Sequence, residues 1–146
     1  MPAKMNHSDA VFRVCVDEIS EGRIRGHVVS RRLTAPISFQ DVGDFLIKLE
    51  ELMDRQNFPQ AFEWTRTFRP RPAGASHVPA ADGLEGGMSK EEVEEERGAV
   101  ATFALFVITR RNTTWQGIVD WLDGSPRSDY SSVLELIKLI DERVSN

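Results

Sequence analysis

The sequence predicts a small α+β protein. Two strand-strand-helix repeats would form one four-stranded antiparallel sheet with both helices on one face. Three observations carry this expectation. Apolar residues alternate in short segments of each half, a three-to-four spacing follows in each half, and the two halves match at a constant offset of 91 residues.

The first half opens on Phe12-Arg13-Val14-Cys15-Val16, where Phe12, Val14 and Val16 alternate as in a half-buried strand. Glu21-Gly22 marks a turn, and Ile24 to Val29 reads as the return strand. After Pro36, Ser38 with Asp41 three residues on resembles a capping box. The helix that follows would carry Phe39, Val42, Phe45, Leu46, Leu49 and Met53 on one stripe. In the second half, Phe103, Leu105 and Val107 alternate, Arg111-Asn112-Thr113 is the turn, and Trp115 to Trp121 is the return strand. Gly124-Ser125-Pro126 closes it. Asp129 is then the expected cap of a helix bearing Tyr130, Val133, Leu136, Ile137, Ile140 and Val144.

At the offset of 91, Phe12 falls on Phe103, Val14 on Leu105, Gly26 on Gly117 and Phe39 on Tyr130. Few of these pairs are identical, so the likeness is one of pattern. Gly26 and Gly117 sit mid-strand, where a glycine lets a ring or helix approach the backbone closely. Trp115 and Trp121 share the parity of Gly117 and are expected in the core.

Composition divides the rest of the chain. The expected organisation is a flexible tail over 1–10, a first unit over 11–56, an aromatic connecting segment over 57–68, a mobile acidic linker over 69–97 and a second unit over 98–146, one domain overall. Asp82 to Arg97 holds seven acids and two bases and so carries the whole net charge of −5, which leaves a neutral body. Lys90 to Arg97 has the composition for an exposed helical turn or two. Arginine outnumbers lysine by 14 to 4, which suits interface ion pairs and phosphate contacts and equally suits a GC-rich genome. No run approaches the ~20 apolar residues that span a bilayer, the first residues lack the apolar core of a signal peptide, and the single Cys15 forms no internal disulfide. Together these predict a cytoplasmic protein.

The search for chemistry finds no catalytic set, no cofactor motif and no metal-ligand cluster. His7 and His77 lie in the expected tail and linker, and His27 stands alone in a strand. Cys15 has no pattern that activates a thiol. Asp120 and Asp123 flank Trp121 at a strand end, where burial would not raise a carboxyl pKa for acid catalysis. Gly83, Gly86 and Gly87 lack the strand and the Gly-Lys-Ser/Thr of a phosphate loop.

The strand face opposite the helices is more informative. Its first half carries Arg13, Arg23, Arg25 and His27, a candidate anion-binding set. Its second half carries Phe106, Ile108, Gln116 and Ile118, a candidate interface whose apolar members need a cover. A partner, a second copy, the aromatic segment or the linker would each supply one. The leading expectation is a non-enzymatic protein-interaction or self-association module that uses this open face. Its partner would be an unknown protein or another copy of the chain. The alternative is nucleic-acid or anionic-ligand binding through the arginine-bearing half, with the glutamate run folding back as competitor.

The second unit resembles small uncharacterised bacterial proteins that share a strand, Trp-Gln-Gly, Trp-Leu and a helix reading Leu-Glu-Leu-Ile-Lys-Leu-Ile-Asp. Here these are Trp115-Gln116-Gly117, Trp121-Leu122 and Leu134 to Asp141. The resemblance covers roughly 99–144 and implies no activity, ligand or catalytic residue.

Overall fold

A computed structural model describes residues 9–59, 78–81 and 86–145 of the chain. An antiparallel sheet is built by β1 (Phe12–Ser20), β2 (Arg23–Val29), β3 (Ile37–Phe39), β4 (Ala101–Thr109), β5 (Gln116–Asp120) and β6 (Ser128–Tyr130). The helices are α1 (Val42–Gln56), α2 (Lys90–Glu95) and α3 (Val133–Ser145). The α+β class and the antiparallel sheet agree with the sequence. The expected strand number does not: the sheet has six strands in the order β3-β2-β1-β4-β5-β6.

The extra strands are β3 and β6, three residues each, placed where the apolar stripe suggested that the helices had begun. Phe39 and Tyr130 belong to these strands, and both helices start three residues later. Asp41 is the cap of α1, its side chain accepting from the Asp44 amide at 2.7 Å, whereas Ser38 lies inside β3. Ser132 Oγ accepts from the Glu135 amide at the start of α3, and Asp129 lies in β6. A cap needs its chain to turn immediately afterwards. Ser38 and Asp129 are held extended by pairing with His27 and Ile118.

The offset of 91 recurs in the pairing itself. Cys15 faces His27 in the first half and Phe106 faces Ile118 in the second; Gly26 faces Phe39 and Gly117 faces Tyr130. Each hairpin is bulged at the same place, between Val16 and Glu18 and between Val107 and Thr109. The turns match too. Glu21-Gly22 and Asn112-Thr113 all have positive φ, the backbone of a tight two-residue hairpin turn. At the centre, Phe12 faces Leu105, Arg13 faces Ala104 and Val14 faces Phe103. Arg13 therefore pairs with its own counterpart, and a local twofold axis runs through the Arg13–Ala104 pair.

One core cluster joins Phe12, Val14 and Val16 of β1 and Phe103, Leu105 and Val107 of β4 to Phe45, Leu49, Leu52 and Met53 of α1 and to Leu136, Ile140 and Val144 of α3. Trp115 and Trp121 are buried in it, as expected. Full burial of each such side chain contributes about 1.5–3 kcal/mol. Two buried arginines fasten the end of α1. Arg32 lies 4.9 Å over the Phe12 ring and donates through Nε to Gln56 at 2.7 Å. Burial, with Arg110 nearby, lowers its pKa to about 9, so it stays charged at neutral pH. Arg110 donates to Asp54 at 2.7 Å and to the Pro59 carbonyl at 2.6 Å. Trp115 Nε1 and Arg110 reach opposite oxygens of Glu50.

Of the segment expected to be a mobile acidic linker, 69–77 and 82–85 lie outside the described residues, and the remainder makes defined contacts. Ala80 bridges Leu33, the Ala81 amide donates to Arg32 at 2.9 Å, and the Met88 amide donates to Leu33 at 2.7 Å. Ser89 and Glu92 form a reciprocal capping box that starts α2, and Val93 turns inward and is buried. The composition average conceals these local anchors, because one inward valine and one cap outweigh four exposed glutamates nearby. Among the described residues, no helix is long and apolar enough to cross a membrane.

Candidate functional site

The open face of the sheet divides at the β1–β4 seam, and the two halves differ in chemistry and in cover. In the first half, the chain from α2 to β4 acts as a strap. Arg13 Nε donates to the Glu96 carbonyl at 2.7 Å, and the Val100 amide donates to Val16 at 2.8 Å. His27 sits between two carboxylates: Nδ1 lies 2.7 Å from Asp17 Oδ2, and Nε2 lies 3.0 Å from Glu96 Oε1, off line for a hydrogen bond. Cys15, directly across from His27, is wholly buried, and burial pushes its thiol up to about 11. A thiol so protonated is a poor nucleophile, and both ring nitrogens of His27 face carboxylates instead.

The candidate anion-binding residues therefore separate. Arg13 and His27 are engaged by the strap, while Arg23 and Arg25 are exposed near the hairpin end, where Arg25 lies 4.0 Å from Glu18. The strap contacts were not legible in the sequence, since nothing in a glutamate run says which carboxylate turns inward.

In the second half, the positions equivalent to Cys15, Asp17, Arg25 and His27 are Phe106, Ile108, Gln116 and Ile118. All four are partly buried. Arg127 lies 5.7 Å over the Phe106 ring and is itself held by Asp120 at 3.3 Å. Gln116 is committed to the turn: its Oε1 accepts from Thr109 Oγ1 at 2.7 Å and from the Arg111 amide at 2.9 Å. That bonding removes Gln116 from the list of free interface side chains and makes it a clamp on the hairpin. Beside this half, Leu122 is exposed at 43%.

No family model, curated protein or solved structure matches this chain.

Where the halves meet, α2 stands off the sheet and leaves a cavity of about 290 Å³. Val11, Val93, Ala104, Phe106 and Leu122 give it apolar walls, and Arg13, Arg31, Lys90, Asp9, Glu94 and Asp120 add charge. Sequence reasoning missed it because its roof is α2, which was expected to be exposed. Among the described residues, no group of three or more His, Cys, Asp or Glu side chains is arranged to hold a metal ion.

Proposed function

We propose that this protein is a non-enzymatic interaction module whose second-half open face, built on Phe106, Ile108 and Ile118, docks a protein partner or a second copy. The observation that supports this reading is the contrast between equivalent positions. One half carries Cys15 and His27 beneath a strap of the same chain, with Asp17 exposed beside His27. The other carries Phe106, on the floor of the cavity under α2, and Ile108 and Ile118, which lie outside that cavity with no strap bonded across them among the described residues. An apolar sheet face needs a cover, and a partner segment laid on it gains about 25 cal/mol for each Å² of apolar surface removed from water.

The test is Ile118→Asp, with sedimentation to read self-association and affinity capture from the native host, before and after nuclease, to read partners. A dimer or a nuclease-resistant partner present with the parent chain and lost with Ile118→Asp is the expected result. Equal association of the two chains, with the variant folded, would refute the reading. The arginine-bearing half is the second reading, and the Glu96–His27 contact favours it to the extent that the glutamate segment does fold over that half. It requires tighter, salt-sensitive anion binding when Glu96 is replaced by Gln.

A further inference from the structure

The cavity beneath α2 carries an imbalance of hydrogen-bond donors. Each carboxylate on its wall already has a cation: Asp9 accepts from Arg31 at 2.8 Å, Glu94 lies 4.0 Å from Lys90, and Asp120 lies 3.3 Å from Arg127. Two arginines on the wall keep donors unused. Arg13 spends its Nε on a neutral carbonyl, and among the described residues its terminal nitrogens meet no carboxylate. Arg31 donates through one terminal nitrogen to Asp9, while its Nε is buried with no acceptor among the described residues. A buried N–H without an acceptor costs about 1–3 kcal/mol. The remaining walls, from Val11, Val93, Ala104 and Phe106, are apolar.

The geometry points to a binding site for a small amphipathic carboxylate. Its acid group would meet Arg13 and Arg31, and its hydrocarbon or aromatic body would lie between Val93 and the Ala104–Phe106 floor. The volume is close to the lower bound of ligand pockets, roughly 300–1,000 Å³, which restricts the occupant to a compact molecule. An arginine fork suits a carboxylate through paired, charge-assisted hydrogen bonds. A bare inorganic anion would leave the apolar walls unfilled, and a neutral hydrocarbon would leave the donors unfilled. This site shares Phe106 with the docking face proposed above but goes beyond it, because Ile108 and Ile118 do not line the cavity.

The experiment uses the full chain and four probes: benzoate, hexanoate, benzyl alcohol and inorganic phosphate, each titrated while backbone amide shifts are followed by NMR. Saturable shifts confined to α2, β1 and β4 are expected with benzoate or hexanoate, and roughly tenfold weaker binding with benzyl alcohol and with phosphate. Arg13→Gln should weaken carboxylate binding by roughly tenfold and leave benzyl alcohol unchanged. Ala104→Leu should fill the floor and abolish both, with thermal unfolding recorded to confirm that the variant folds. Equal affinity for benzoate and benzyl alcohol would overturn the proposal. So would phosphate binding as well as benzoate, carboxylate binding indifferent to Arg13→Gln, or the absence of a saturable shift with any probe. Because Ile118→Asp leaves the cavity intact, carboxylate binding that survives it separates this site from the docking face.

Discussion

Replacing Gly117 by alanine should unfold this protein more readily, although the same change elsewhere often does the reverse. At a position whose backbone tolerates it, glycine to alanine stabilises by about 0.4–1 kcal/mol, because the unfolded chain loses freedom. At Gly117 the new methyl would lie 1.9 Å from the Phe106 carbonyl oxygen and 2.7 Å from the Tyr130 hydroxyl. Ordinary contact begins near 3.4 Å, so the β4–β5 pair must open by about 1.5 Å. That movement also breaks the bond that Tyr130 donates to the Phe106 carbonyl at 2.7 Å. Overpacking of this kind costs about 1–3 kcal/mol, and the lost hydrogen bond about 1 kcal/mol. Set against the gain in the unfolded state, the net loss is about 1–3.5 kcal/mol. Urea unfolding followed by tryptophan fluorescence measures it, with Gly86→Ala as control, since no described atom lies within 4 Å of the added methyl. The control should be unchanged or gain up to about 1 kcal/mol. A Gly117→Ala protein as stable as its parent would refute the reasoning, as would an equal loss in the control. Gly26→Ala should repeat the effect, with the Cys15 carbonyl at 1.9 Å.

Three further outcomes are expected. Arg110→Met should destabilise by about 2–3 kcal/mol, because it removes the charge-assisted bonds that a buried guanidinium makes to Asp54 and to the Pro59 carbonyl, and a double-mutant cycle with Asp54→Asn should show that the two losses are not additive. Asp123 accepts from Ser125 and is paired with Arg143, and these partners hold its carboxyl down at about 2. A lowered folded pKa means that its contribution is complete above about pH 4 and fades as pH falls towards 2. Asp123→Asn should therefore flatten the dependence of stability on pH within that interval, as read from denaturation midpoints. Val93→Asp should detach α2 and expose Cys15 to thiol reagents, so native-state labelling should accelerate roughly tenfold or more while the cooperative unfolding transition of the core persists.

The sequence disclosed what periodicity can carry. Phe12, Val14 and Val16 against Phe103, Leu105 and Val107 located the central strands, and the Glu21-Gly22 and Asn112-Thr113 turns located both hairpins. β3 and β6 were illegible because three residues give too little alternation to compete with a helical stripe, and Phe39 and Tyr130 fit either pattern. Their true neighbours, Gly26 and Gly117, lie more than ten residues away, a pairing that no local signal records. The candidate site was half legible. Parity put Arg13 and His27 opposite the core with Phe106 and Ile118. The strap that claims Arg13 and His27, and the cavity that it roofs, depend on where Glu96 and Val93 land in three dimensions.

The β1–β4 seam has the geometry of a symmetric dimer contact, yet one covalent chain supplies both sides of it. In a dimer of identical chains, a substitution appears twice, and an apolar residue at one site imposes its twin at the other. Here the counterparts mutate separately, so Cys15 stands against Phe106, and His27 against Ile118. The connection also holds the two sides at a fixed effective concentration, so the pairing does not weaken on dilution. One side of the molecule is thereby free to be closed by its own strap while the other carries the apolar set proposed above as a docking face, a division of labour that a true dimer cannot make.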